Sequence, residues 1–140
     1  MIIVERASED DHPDVIAMDH IAQVNTERAQ YLTRAILDRQ MIVARQGATR
    51  VGYAIVNRGF FEQIFLALLY AHADYRRQGV ATALVDYAIK TCPEPKLFTS
   101  TNESNIPAQA LYEKYGFIRS GYIENLDEGD PELIYVKFLD

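Results

Sequence analysis

Along the chain, apolar and polar positions change period several times, and each change marks an element. Residues 1–5 open with a short apolar run. Ser8 follows, then Glu9, Asp10 and Asp11, a capping residue and an acidic first turn that predict a helix over 9–20 behind a first strand. Thr26 precedes a second helical stretch, 27–39, in which Tyr31, Ala35 and Leu37 hold an imperfect apolar stripe. Residues 41–45, a Gln46-Gly47 turn and residues 50–57 place β-branched and aromatic side chains on either side of a glycine, the pattern of a hairpin. A second turn at Asn57-Arg58-Gly59 leads into 63–71, which is apolar without alternation and reads as a strand buried on both faces at the sheet centre.

The period then becomes helical. Val80, Leu84 and Ala88 form one row and Ala81, Val85 and Ile89 the next, in a helix that stops near Pro93. Residues 96–101 predict a strand. Asn105 with Pro107 in the first turn opens a helix to Tyr115, and Gly116 stands where a left-handed residue ends it. Residues 117–123 and 133–139 then pair as strands around an acidic loop, 124–132. The predicted order is β-α-α-β-β-β-α-β-α-β-β, without repeats or low-complexity segments.

Composition narrows the class. A length of 140 residues, 49% hydrophobic and 24% charged, suits one globular domain spanning 1–140. Fourteen Lys and Arg against twenty Asp and Glu give a formal charge of −6, which argues against a nucleic-acid or anionic-membrane partner. Cys92 is the only cysteine, so intrachain disulfides and multi-cysteine zinc sites are excluded. His12, His20 and His72 lack metal-ligand spacing, and no metal is expected. The longest apolar run, 64–71, is far shorter than the roughly 20 residues of a membrane helix. Glu5 and Arg6 interrupt any secretory apolar segment, and a cytoplasmic location is the expectation.

Candidate chemistry gathers where the central strand meets the third helix, at Asp74-Tyr75-Arg76-Arg77-Gln78-Gly79-Val80-Ala81-Thr82. A helix start presents unsatisfied N–H groups and the positive end of the macrodipole, which together hold phosphate. Gly79 removes a side chain where an anion must approach, Ala81 keeps the next turn small, and Arg76 and Arg77 add charge. Neither a Walker loop nor a dinucleotide fingerprint is present. Taken alone, so short a loop reads more readily as a surface turn with two solvated arginines.

The stretch from Ala71 to Ala81 resembles the acetyl-CoA signature of the GNAT superfamily of N-acetyltransferases, with Arg76, Gly79 and Ala81 at the places of its Arg/Gln-x-x-Gly-x-Gly/Ala loop. Downstream, Asn105-Ile106-Pro107-Ala108-Gln109-Ala110-Leu111-Tyr112-Glu113-Lys114-Tyr115-Gly116-Phe117 resembles that family's N-x-x-A-x-x-L-Y-x-x-x-G-F segment. The element order also matches, so the resemblance covers nearly the whole chain. It implies an α/β fold of the acyl-CoA N-acyltransferase type, a mixed and mostly antiparallel sheet flanked by helices.

It further implies an acetyl-CoA-dependent N-acetyltransferase that moves the acetyl group to a primary amine of a small molecule or peptide by direct attack. Cofactor contacts carried over by the resemblance are Arg76, Arg77, Gln78, Gly79, Val80, Ala81 and Thr82 for the pyrophosphate, with Asn105 and Ala108 from the second motif. The backbone of Leu69, Tyr70 and Ala71 would polarise the thioester carbonyl. Tyr112, one helical face with Asn105 and Ala108, would give a proton to the leaving thiolate, and a phenol is protonated at neutral pH. Amine deprotonation needs a base, and Glu62, before the central strand, is the candidate. Phe65 stands where some relatives carry a glutamate, and His72 is an alternative by residue type. Tyr70 and Tyr122 read as packing residues more than as an acceptor lining, and Cys92 lacks a nearby histidine to activate it. The acidic loop suggests a cationic acceptor, against the plainer reading of a solvated turn. A homodimer is the oligomer to be tested, and the alternative function is a non-catalytic acyl-CoA-binding module of the same fold.

Overall fold

In the computed structural model, which describes residues 1–139, the elements follow the predicted order. They are β1 (Ile3–Arg6), α1 (His12–Met18), α2 (Thr26–Leu37), β2 (Met41–Gln46), β3 (Thr49–Phe60), β4 (Gln63–Ala71), α3 (Val80–Lys90), β5 (Lys96–Asn102), α4 (Ile106–Lys114), β6 (Ile118–Ile123) and β7 (Glu132–Phe138). The seven strands form one sheet in the order β1-β2-β3-β4-β5-β7-β6. β1/β2, β2/β3, β5/β7 and β6/β7 are antiparallel, and β4/β5 is parallel through Phe65↔Phe98 and Leu66↔Thr99. This is the mixed, mostly antiparallel, helix-flanked sheet that the sequence implied. Among the described residues no helix is long and apolar enough to cross a membrane.

Three local expectations need correction. The helix expected over 9–20 begins as a 3-10 turn, Glu9–Asp11, and α1 ends at Met18 because Asp19 turns to extended backbone and folds its carboxylate back onto the amides of Ile21 and Ala22, each at 2.9 Å. The turn expected at Asn57-Arg58-Gly59 is strand: β3 runs through it, and the chain reverses at Phe61 and Glu62, both left-handed with φ of 51° and 63°. Two successive left-handed residues suit the twist of a tight hairpin, but neither Phe nor Glu advertises that conformation in sequence. β4, expected to be buried on both faces, buries Ile64, Leu66 and Tyr70 and leaves Phe65, Ala67, Leu69 and Ala71 half-buried.

The chain packs as two units, one made of Met1–Val56 and Leu68–Lys90, the other of Asn57–Ala67 and the chain from Thr91 onward. In the first, Met41, Ile42, Val43 and Ala44 of β2 are all buried, and α3 packs on β1 and β2 through Val80, Leu84, Val85 and Ala88. Gly52 of β3 sets that approach. A Cβ there would lie 2.5 Å from Val80 Cγ1 and 2.8 Å from the Tyr70 carbonyl oxygen, and the latter is backbone that has no rotamer to yield. The next residue, Tyr53, points to the opposite face, because successive strand side chains alternate.

On that face lies a buried charge. Asp19 is fully buried and accepts from Arg28 Nε (3.1 Å), Arg28 Nη2 (2.9 Å) and the Tyr53 hydroxyl. Burial works against the charge, but the hydrogen bonds from Tyr53, Ala22 and Arg28, with the Arg28 charge, outweigh it and hold the carboxyl below its ordinary range. The Tyr53 hydroxyl moves the other way, raised first by burial and then by its bond to Asp19.

In the second unit, Leu97, Thr99 and Thr101 of β5 and Leu133, Ile134, Tyr135 and Val136 of β7 form the core against Tyr112 and Phe117. α4 ends as expected at Gly116, φ 85°, where the Phe117 amide reaches Tyr112 O at 3.0 Å and the Gly116 amide reaches Glu113 O at 3.0 Å. The acidic loop is tied down in part: Asp127 accepts from Asn102 Nδ2 at 2.9 Å, and Asp130 accepts from the Ser104 amide and hydroxyl at 3.0 and 2.6 Å.

Two outcomes follow from the first unit. Gly52→Ala should lose about 1–3 kcal/mol of stability by urea unfolding, because the added methyl must displace α3 or the Tyr70 peptide. Asp19→Asn should be less stable than wild type by about 2–3 kcal/mol at pH 7. A depressed folded-state carboxyl contributes stability above its unfolded pKa and loses it as pH falls, so the gap between the two proteins should close below about pH 4. A gap independent of pH would show that the Asp19 charge contributes nothing.

Candidate active site

β4 ends at Ala71, and the amide of His72 bonds to Val51 O at 2.8 Å, which fixes the strand end against β3. The His72 ring then accepts from the Asp74 amide at 3.1 Å and meets Tyr75 edge-on, so His72 serves as the cap of the 3-10 turn Ala73–Tyr75. Between this turn and α3 the backbone enters the left-handed region twice, at Arg77 (φ 66°) and Gly79 (φ 86°), on either side of Gln78. Gln78 Nε2 reaches back to Asp74 O at 3.4 Å.

Arg76, Arg77, Gln78 and Gly79 are exposed, Val80 is buried, and Ala81 and Thr82 are half-buried. The intrahelical ladder starts with Ala83 N to Gly79 O at 3.0 Å, so the amides of Val80 and Ala81 precede the first i−4 acceptor of α3. A Cβ built on Gly79 would meet nothing within 4 Å, which leaves open space beside these donors. Left-handed residues beside a helix start are a backbone form found where N–H groups receive phosphate oxygens. Arg76 carries its guanidinium 5.9 Å from the centre of the Tyr70 ring, so its charge is oriented by an aromatic face.

Of the stretch Leu69, Tyr70 and Ala71, Tyr70 is buried and the other two are half-buried. The Tyr70 ring stacks on Tyr53 at 5.4 Å and 12°, and its hydroxyl lies 2.6 Å from His20 Nδ1.

In the second unit, Tyr112 lies on the buried face of α4, 4% exposed, with ring contacts to Phe117 at 5.6 Å and Tyr135 at 5.7 Å. Burial raises its pKa above the ordinary tyrosine value, a hydrogen bond with Thr99 pulls it back, and nearby Glu132 and Tyr135 raise it further. The phenol is therefore held protonated across the neutral range. Thr99 is buried and its hydroxyl donates to the Leu66 carbonyl at 2.9 Å, so Tyr112 stands at the level of Leu66 on β4. Asn105 caps α4, its side chain accepting from the Ala108 amide at 3.2 Å, and it is exposed while Ala108 is half-buried.

Glu62 occupies the left-handed β3–β4 turn and is exposed. It stands four residues before Leu66, about 13 Å along an extended strand. Cys92 turns its thiol to the carbonyls of Glu94 (3.5 Å) and Lys96 (3.7 Å). Sequence reasoning missed the cluster of Asp19, His20, Arg28, Tyr53 and Tyr70. His20 and Tyr70 lie 50 positions apart, and the local hint is an Asp-His pair where a helix ends.

The Acetyltransferase (GNAT) family matches residues 7–117. A Bacillus cereus acetyltransferase of the GNAT family superimposes with a TM-score of 0.92 at 35% identity, covering 100% of this chain and 99% of that one. An uncharacterized N-acetyltransferase of Mycobacterium tuberculosis is 30% identical over 78% of this chain and 74% of its own. Peptidyl-lysine N-acetyltransferase YjaB of Salmonella typhimurium is 27% identical over 94% and 83%. A further Salmonella typhimurium structure, solved with its cofactor acetyl-CoA, shares the fold at TM-score 0.77 and 16% identity, covering 99% and 94%. The similarity to human cysteine-rich protein 2-binding protein, 32% over 63 residues, spans 45% of this chain but only 8% of that protein. With the family matched from Ala7 to Phe117, both motif segments included, the chain belongs to the Acetyltransferase (GNAT) family of enzymes.

Proposed function

We propose that residues 1–140 act as a single N-acetyltransferase domain that transfers the acetyl group of acetyl-CoA to a primary amine of a small molecule or peptide. The observation that carries this reading is the pair of left-handed residues, Arg77 and Gly79, that opens the start of α3 beside unoccluded space. Acetyl-CoA, when bound, supplies the activated thioester. The backbone of 76–82 holds its pyrophosphate, with Arg76 and Arg77 as charged partners, and Asn105 and Ala108 add contacts from the start of α4. Backbone N–H groups of Leu69, Tyr70 and Ala71 polarise the thioester carbonyl, a role that suits fixed dipoles because they need no reorganisation.

Tyr112 gives the leaving thiolate its proton. Support comes from its own surroundings: the ring is locked by Phe117 and Tyr135, and burial keeps the phenol in its proton-bearing form. Direct attack by the amine accords with the single cysteine being turned to backbone carbonyls. Glu62, the sequence's candidate for the base, stands exposed in the turn four residues before Leu66. The peptidyl-lysine activity named for the Salmonella relative makes lysine side chains the first acceptors to try.

A thiol-release assay with acetyl-CoA and lysine peptides, polyamines and aromatic amines should show turnover with at least one of them. Tyr112→Phe, which keeps the ring packing, should then lower kcat by about 10²–10⁴ with little change in the KM for acetyl-CoA. Full kcat in that variant, with chemistry limiting the rate, would reduce Tyr112 to a core aromatic.

A further inference from the structure

Tyr70 and His20 form a close polar pair: the His20 backbone amide donates to the Tyr70 oxygen at 3.4 Å, and the same oxygen lies 2.6 Å from His20 Nδ1. With the His20 ring proton on Nε2 the phenol donates to Nδ1, and that is the tautomer a proton relay uses. The chain around it is fixed, because Asp19 holds the amides of Ile21 and Ala22 and is itself held by Arg28 and Tyr53. Tyr70 is braced by its stack on Tyr53.

Position adds the second part. α3 packs on the face of β3 toward which Gly52 would extend a Cβ, whereas Tyr53 and the stacked Tyr70 ring occupy the other face. Tyr70 thus contributes its backbone to the stretch assigned to the thioester carbonyl and its phenol to the face away from α3. The charged and titratable groups around this phenol are His20, Asp19 with Arg28, Tyr53, and Arg76 over the ring at 5.9 Å. Asp19 is fully buried and committed to Arg28, Tyr53 and two amides, while Tyr53 donates to Asp19 and is buried. His20 is exposed, and imidazole is the side chain that exchanges protons near neutrality.

We propose that Tyr70 and His20 form a relay that takes the proton from the attacking amine. This rests on the acetyl-transfer reading above and gives the amine's proton a path inside the fold, in place of the exposed Glu62. The bound ammonium passes a proton to the Tyr70 oxygen while the Tyr70 proton passes to His20 Nδ1, the freed lone pair bonds to the carbonyl carbon, and the second proton that nitrogen then loses goes to solvent. The carbon–sulfur bond breaks, and Tyr112 protonates the thiolate. His20, now imidazolium, returns a proton to water, and Tyr112 takes one up. Tyr70 is the catalytic residue of the pair, and His20 acts through it.

Three proteins test the relay: wild type, Tyr70→Phe and His20→Ala, each checked for a wild-type melting profile. Tyr70→Phe keeps the stack on Tyr53, and His20 is exposed, so both should fold. With an amine that wild type acetylates, each variant should lose about 10²-fold or more in kcat at pH 7 with the KM for acetyl-CoA unchanged. The loss should shrink as pH approaches the amine pKa near 10, where the free base needs no relay. Added imidazole should restore part of the activity of His20→Ala and none of Tyr70→Phe. Wild-type kcat in either folded variant, or a His20→Ala deficit that is constant with pH and indifferent to imidazole, would overturn the relay and leave acetyl transfer standing. A wild-type protein that releases no thiol with any amine would overturn acetyl transfer itself, and the relay with it.

Discussion

The absence of a side chain at Gly52 governs how the first unit is built. α3 approaches β3 closely enough for Val80 to stand where a Cβ would point, with the Tyr70 carbonyl on the same spot. That contact fixes the start of α3 relative to the end of β4. Nine residues of strand run into a loop that must reach this fixed helix start, and it does so by placing Arg77 and Gly79 in left-handed backbone. For a non-glycine residue such as Arg77 that conformation costs about 1–2 kcal/mol, which the surrounding packing must offset. Under the acetyl-transfer proposal its return is a set of N–H groups that hold the pyrophosphate.

The opposite face of the same strands depends on a different interaction. Asp19 is a charge in the core, tolerable only because Arg28, Tyr53 and two backbone amides satisfy it. Removing water from the carboxylate is offset by these bonds, and the result is a stiff corner between α1 and α2 that presents His20 to Tyr70. One strand pair thereby carries a polar backbone site toward one face and a phenol–imidazole pair on the other. Tyr70 belongs to both.

How much of this was legible follows from how local each feature is. The bounds of β4, the apolar rows of α3, the Asn105 cap and the Gly116 stop each depend on a handful of neighbouring residues, and all appear where the pattern places them. The turn at Phe61 and Glu62 was not legible, because two residues without turn preference are forced into left-handed geometry by the pairing of the strands they join, while Asn57 and Gly59, which do signal a turn, lie within β3. Within the candidate site, Gly79 and Tyr112 stand out in the sequence as motif members. Arg77 gives no sign of its backbone, and Glu62 attracts notice only by its charge. His20 and Tyr70 are separated by 50 positions, and nothing in either neighbourhood tells that they meet.

Backbone amides of the loop before α3 and of its first turn are the proposed anion cradle. Amide chemical shifts of the ¹⁵N-labelled protein, followed during titration with coenzyme A and separately with its dephosphorylated pantetheine fragment, test it directly. Coenzyme A should move the amides of Arg77, Gln78, Gly79, Val80 and Ala81 most strongly and saturably, and the fragment without pyrophosphate should leave them in place. Equal shifts with both ligands, or coenzyme A shifts confined to other parts of the chain, would contradict it.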